Sequence, residues 1–157
     1  MTIQKITPFL WYSDQAEEAA AFYASIFPDS RVNRVTPVPA AGSTKMVEFV
    51  LFGQPFIAMN SGGGDPFNHA ISLMVDCADQ AEVDRYWNAF LEGGGSPEAC
   101  GWLKDRFGVS WQIVPGELIR MMADPDPVKA GRVAQAMMKM VKFEVAALKA
   151  AYLGATD

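Results

Sequence analysis

The tetrapeptide Asp-Gln-Ala-Glu occurs twice in this chain, at Asp14–Glu17 and at Asp79–Glu82. Each copy follows a short apolar run, Ile6–Tyr12 or Ala70–Val75. Each precedes an aromatic pair, Phe22-Tyr23 or Tyr86-Trp87. The same signal in the same strand-to-helix setting predicts an internally duplicated fold. The tetrapeptide also has a local physical role. Asp14 and Asp79 are suited to accept hydrogen bonds from the first free amides of a helix. Glu17 and Glu82 then fall at the third helical position and can reach back toward the cap. All four carboxylates suit the positive end of the helix dipole, so they read as caps rather than catalysts.

The elements between these markers repeat in order. Ile3–Tyr12 reads as a strand, with Pro8 tolerated near its start. Gln15–Phe27 carries Ala19, Ala20, Phe22, Tyr23, Ile26 and Phe27 at helical spacing and stops at Pro28-Asp29. Strands are expected at Arg31–Val38, Lys45–Phe52 and Phe56–Met59, the last two joined by the turn Gly53-Gln54-Pro55. The second series is a strand at Ala70–Val75 and a helix at Gln80–Leu91, closed by Gly93-Gly94-Gly95. A weak strand within Ser96–Trp102 follows, then a hairpin of Leu103–Phe107 and Val109–Val114 around Gly108. The Gly-rich stretch Ser61–Asp65 is followed by a strand and has no Lys nearby, so it reads as a linker and not a phosphate loop.

Gly116–Ala123 predicts a short helix and Val128–Tyr152 a long one. Val133, Met137, Met140, Val145, Leu148 and Tyr152 form an apolar stripe on the latter, expected to cover the sheet or a second subunit. The organisation expected is one domain over residues 1–157. It has a first half at 1–60, a linker at 61–68, a second half at 69–115 and C-terminal helices at 116–157.

Half of the 157 residues are hydrophobic, which is enough for a core. The net charge of −5 and the absence of any Lys/Arg cluster argue against nucleic acid and anionic membranes as partners. No run of about 18 apolar residues is present, and Met1–Lys5 lacks a signal-peptide pattern. Cys77 and Cys100 form no CxxC, so a reduced, cytoplasmic protein with two free thiols is expected.

The repeated βαβββ order is similar to that of the vicinal oxygen chelate superfamily, which includes glyoxalases, extradiol dioxygenases and fosfomycin- and bleomycin-resistance proteins. Several segments resemble its PhnB-like, demethylubiquinone methyltransferase-like branch. They are Phe9-Leu10-Trp11-Tyr12, Phe22-Tyr23 with Ile26-Phe27-Pro28, and the run Cys100–Gln112, Cys-Gly-Trp-Leu-Lys-Asp-Arg-Phe-Gly-Val-Ser-Trp-Gln. Asp124-Pro125-Asp126-Pro127, ahead of the Met-rich helix, resembles that branch too. The resemblance implies an α+β fold of tandem βαβββ repeats forming a glyoxalase-like cup, with a C-terminal helical extension. Methyl transfer is not expected from these residues. A doubly wound S-adenosylmethionine domain needs a Gly-rich turn between a strand and a helix, and the Gly clusters here follow other elements.

The resemblance further implies a four-position metal site of His, Glu or Gln side chains, two from each half. Carried onto this chain, the positions fall on Pro8, Glu48, Ala70 and Gln112. Pro8 and Ala70 cannot ligate. His69 lies one residue from Ala70, but a one-residue slip along a strand turns a side chain to the opposite face. Glu48, Gln112 and His69 are therefore the candidate ligands of a degenerate metal site. No cofactor is expected, with a divalent metal as the alternative.

The residues expected to face the cup are Leu10, Tyr12, Glu48, Val50, Phe52, Ala58 and Asn60 from the first half, and Ser72, Met74, Ser110 and Gln112 from the second. This is a mostly apolar set with a few polar groups, as in small-molecule pockets. Trp102, near the rim, either stacks on a flat ligand or packs in the core. Trp11, Trp87 and Trp111 are assigned to the core. Lys104-Asp105-Arg106 reads as a hairpin tip. Ser72 and Ser110 have one histidine to share, on the wrong phase, so no nucleophile system is legible. The thiols lack activating partners.

The function expected is binding of a small, partly apolar molecule by a homodimer. Tyr12, Glu48, Asn60, Ser72, Trp102, Ser110 and Gln112 are the candidate ligand-binding residues. The alternatives are a divalent-metal lyase, isomerase or dioxygenase, and a structural domain dimerising through Val128–Tyr152.

Overall fold

The computed structural model describes residues 4–155. The chain divides into two compact units, Met1–Pro66 and Phe67–Asp157.

The first unit runs β1 (Phe9–Tyr12), α1 (Ala16–Ile26), β2 (Arg31–Pro37), β3 (Lys45–Leu51) and β4 (Gln54–Asn60). Its sheet has the order β1-β4-β3-β2, with β1 parallel to β4 and the other pairs antiparallel. The first strand begins at Phe9, later than expected, and Ile3 lies outside the described residues. Pro8 still accepts from the Ile57 amide at 3.0 Å but has no N–H to give.

One face of this sheet lies under α1. The Tyr12 and Tyr23 hydroxyls are 3.0 Å apart, and the Phe49 ring stacks on Phe56 at 5.3 Å. Ala16, Ala19 and Ala20 are fully buried, so small side chains let the helix approach closely.

The second unit repeats the plan. It comprises β5 (Ser72–Cys77), α2 (Gln80–Glu92), β6 (Ser96–Pro97), β7 (Trp102–Lys104) and β8 (Ser110–Pro115), in the sheet order β5-β8-β7-β6. Val83, Tyr86, Trp87 and Phe90 are the buried face of α2, and Phe90 meets Trp111 at 4.8 Å.

The twin tetrapeptides behave differently. Asp79 caps α2, accepting from the Glu82 amide at 2.9 Å, while Glu82 accepts from the Ala78 amide at 2.8 Å. Asp14 does not cap α1. The helix starts after Gln15 with no side-chain cap. The Ala16 amide donates instead to Asn60 Oδ1, delivered by β4, at 2.5 Å. Glu17 is taken by Lys45 at 2.8 Å.

The C-terminal extension also departs from expectation. In place of one helix over Val128–Tyr152 there are α4 (Pro127–Met137) and α5 (Val145–Tyr152), preceded by α3 (Gly116–Met122). No Gly or Pro lies between Met138 and Glu144, so the break comes from packing. The amides of Cys100 and Gly101 donate to the carbonyls of Met140 and Val141, each at 2.8 Å. Phe143 is then drawn into a cluster with Val114, Leu118, Val133 and Leu148. Gln80 fastens the start of α5: its Oε1 accepts from the Val145 amide at 2.7 Å and its Nε2 donates to the Phe143 carbonyl at 3.0 Å. Among the described residues no helix is long and apolar enough to cross a membrane.

Candidate functional site

Strand alternation sorts the second sheet into two faces. Val75, Cys77, Leu103, Trp111 and Ile113 are buried on the α2 side. The opposite face carries Ser72, Met74 and Asp76 from β5, Ser110 and Gln112 from β8, and Trp102 and Lys104 from β7. Strand pairing lines these up as two rows. One is Ser72–Ser110–Lys104 and the next is Met74–Gln112–Trp102.

The polar groups of the face are specifically arranged. Gln112 Nε2 donates to Ser72 Oγ at 2.8 Å. Ser110 is only 1% exposed, and its hydroxyl has no hydrogen-bond partner among the described residues. Met74, in contrast, is 55% exposed. At the edge of the face the His69 ring lies 5.9 Å from that of Trp102. His69 Nε2 is 2.8 Å from Glu98 Oε2. Beyond Met74, a cavity of about 260 Å³ is lined by Met74, Asp76, Val114, Gly116, Ile119 and Arg120. A second cavity of about 320 Å³ lies against α3 and α5, where Lys149 and Glu117 pair at 3.1 Å.

Asp105 sets the phase of β8. Its buried carboxylate accepts from the Phe107 and Val109 amides at 2.8 and 3.0 Å and from the Trp111 indole at 2.9 Å. Gly108, at φ +95°, closes the turn with a bond from its amide to the Asp105 carbonyl. Trp111 is thereby held inward, and Ser110 and Gln112 must face outward. The hairpin tip was legible as such. The internal clasp by Asp105 was not, although an Asp three residues before a Gly at a turn is its signal.

In the first unit the expected phase of β1 is reversed. Leu10, Tyr12, Ala58 and Asn60 lie on the α1 side, where Tyr12 is 3% exposed and Asn60 Oδ1 accepts from the Ala16 amide. Phe9 and Trp11 occupy the opposite face and are 49% and 45% exposed, so Trp11 is not a core residue. Phe52 lies past the end of β3 at φ +51°, with its ring 5.0 Å from Phe27. Glu48 and Val50 do lie opposite α1, as expected. The Glu48 carboxylate accepts from Arg34 Nε on the neighbouring strand, and this bond holds the Arg34 guanidinium above its already high pKa.

Of the candidate metal ligands, Glu48 belongs to the first unit and Gln112 and His69 to the second, and each is bonded within its own unit. By strand order the counterpart of β8 in the first unit is β4, not β3, so Glu48 and Gln112 are not equivalent positions. The β4 side chains opposite α1 include Ile57 and Met59, which offer no hard ligand. Glu48 is neutralised by Arg34. His69 sits in the turn before β5, which begins at Ser72, so strand alternation does not govern it, and Glu98 holds its Nε2. Among the described residues no group of three or more His, Cys, Asp or Glu could hold a metal ion. Neither serine bonds His69: Ser72 is taken by Gln112, and His69 by Glu98. Both cysteines are free thiols. Burial, with Glu82 and Asp76 nearby, pushes the Cys77 thiol up to about 12, the wrong direction for a nucleophile.

Residues 4–114 match the model of the family described as 3-demethylubiquinone-9 3-methyltransferase. A Bacillus cereus PhnB protein carrying that same description is 32% identical. The match covers 71% of this chain and 99% of that one, with a TM-score of 0.65. The fosfomycin resistance protein FosX of Mesorhizobium loti is 15% identical over 79% of this chain and all of its own, with a TM-score of 0.59. FosX of Listeria monocytogenes, solved with manganese(II) and sulfate, is 17% identical over 74% of this chain and 94% of its own, with a TM-score of 0.54. The two FosX structures share the fold. No curated protein sequence matches at a significant level.

Proposed function

The chain belongs to the PhnB-like family of the vicinal oxygen chelate superfamily, the one described as 3-demethylubiquinone-9 3-methyltransferase, and from that membership we propose that it binds a small, partly apolar molecule. The binding surface proposed is the face of the second sheet opposite α2, with Ser72, Trp102, Ser110 and Gln112 as its contacts. The observation that carries this reading is Ser110. A buried hydroxyl without a partner costs about 1–3 kcal/mol. That cost is offset if a ligand supplies the missing bond. The neighbours suit such a ligand: an indole for stacking, an exposed thioether for apolar contact, and an amide anchored at one end by Ser72.

Methyl transfer is not part of this proposal. The strand-to-helix junctions, Ser13–Gln15 and Ala78–Asp79, contain aspartate and no glycine, unlike a dinucleotide-type loop. A metal-dependent reaction is not part of it either, because Glu48, Gln112 and His69 each have another partner.

The test is titration with 2-naphthamide, a neutral, flat probe, followed by backbone and indole chemical shifts. Saturable binding that perturbs Trp102 and Gln112 and is lost in Trp102→Ala supports the proposal. Saturable binding that leaves these residues unperturbed, or survives Trp102→Ala, refutes it.

A further inference from the structure

The two rows on the second sheet differ in kind, and the difference names a ligand class. The row Met74–Gln112–Trp102 offers thioether, amide and indole. The row Ser72–Ser110–Lys104 offers two hydroxyls and an ammonium. Resting on the proposed binding face, we infer that its ligand is a flat carboxylate: the ring lies against Trp102 and Met74, and the carboxylate sits over Ser110 and Lys104.

Four observations carry this. Lys104 is directly opposite Ser110 in the β7–β8 ladder, and side chains so placed have their Cβ atoms about 5 Å apart. Lys104 makes no ion pair among the described residues, unlike Lys45, Lys149 and the doubly paired Lys142 and like Lys129 and Lys139. Ser110 is the buried hydroxyl without a partner. The carboxylates of the unit nearest the face are set apart from this row. Glu98 is engaged by His69, and Asp76 pairs with Val114, two rows along β5 from Ser72. One end of the face therefore brings a cation and a spare donor together, while at the other end Asp76 and Arg120 lie side by side. A carboxylate there gains a charge-assisted bond from Lys104 and satisfies Ser110 at once. A neutral amide can accept from the same two donors but brings no opposite charge to Lys104.

The chemistry is tested with 2-naphthoate against 2-naphthamide, by calorimetry at two salt concentrations. 2-Naphthoate is expected to bind at least about tenfold more tightly. That preference should vanish in Lys104→Met, persist in Lys104→Arg, and weaken at high salt. Circular dichroism checks that each variant is folded. Equal binding of the two probes, or a carboxylate preference that survives Lys104→Met, overturns the inference and leaves the binding face standing. Failure of both probes to perturb Trp102 and Gln112 overturns the binding face itself.

Discussion

Gln112 and Ser72 share a hydrogen bond across the parallel strands β8 and β5, Nε2 to Oγ at 2.8 Å. It lies on the one face of the second sheet that α2 leaves uncovered. The bond fixes the amide beside Trp102 and uses the Ser72 hydroxyl, while the Ser110 hydroxyl of the next row has no hydrogen-bond partner among the described residues. An apolar face would fold at least as well. Polar groups kept there are better explained by something they bind than by stability.

The Ser110→Ala variant separates these two roles. Deleting an unsatisfied hydroxyl leaves unfolding free energy unchanged or raises it by about 1 kcal/mol. The same change should weaken 2-naphthoate binding about tenfold, the size of one lost hydrogen bond. Urea unfolding and calorimetry on one preparation measure both. A loss of stability above roughly 2 kcal/mol would mean that the hydroxyl has a structural partner.

Asp105→Asn tests the clasp. An amide can accept the Phe107 and Val109 amides through its oxygen, but its NH2 would meet the Trp111 indole donor head-on. Replacing charge-assisted bonds and adding a donor–donor contact should cost about 2–4 kcal/mol. The near-ultraviolet signal of Trp111 should change with it. Full stability in this variant would remove Asp105 as the device that sets the β8 phase.

These residues also explain how much of the fold the sequence itself marks. In β8, small polar Ser110 and Gln112 alternate with Trp111 and Ile113, so the phase is marked and the outward face was legible. In β1, Phe9, Leu10, Trp11 and Tyr12 are all large and apolar. No polar residue marks a phase, and the assignment of Tyr12 and Trp11 came out reversed. Asn60 followed the same error, since it pairs with Tyr12. The fold as a whole was legible because the duplicated markers lie at strand-to-helix junctions. The break between α4 and α5 was not, because its cause, Phe143 against Gly101, is a tertiary contact and leaves no local trace.

That contact gives a sharp prediction. Gly101 has φ +77°, and a Cβ there would lie 2.2 Å from the Phe143 ring. Gly101→Ala therefore combines left-handed strain with overpacking and should cost about 3 kcal/mol. Phe143→Ala should not restore stability, because it removes the clash but empties the cluster of Val114, Leu118, Val133 and Leu148. Thermal unfolding of the single and double variants measures this, and a neutral Gly101→Ala would contradict the packing described.

Acid should loosen the same region. The Lys142 ammonium, 2.6 Å from Asp84, and the Gln80 amide hold the Asp84 carboxyl below its usual range. A carboxylate with a lowered folded pKa contributes stability above its unfolded value, near 3.9, and loses it as pH falls through the folded value. The protection factors of the amides in segment 138–145, taken against their intrinsic exchange rates, should therefore fall below about pH 4. Asp84→Asn should lower that protection at neutral pH and flatten its acid dependence. Unchanged acid dependence in Asp84→Asn would assign the effect to other carboxyls.

Truncation after Pro127 decides what the extension is for. If α4 and α5 serve chiefly as a dimer interface, the shortened chain stays folded and halves its mass. Packing argues otherwise. Val133, Phe143 and Leu148 are each at most 2% exposed within their own unit, and they cover Val114 on β8 and Leu118 on α3. Gln80 at the start of α2 bonds the extension directly, as does the Cys100–Gly101 backbone that leads into β7. Removing α4 and α5 exposes Val114 and Leu118 and frees Cys100 from the amide bond that accompanies its φ of +59°. The truncated chain is therefore expected to lose its cooperative melt and bind a hydrophobic dye, as read by circular dichroism and light scattering together. A monodisperse, cooperatively folding product of half the native mass would return the extension to a role in dimerisation.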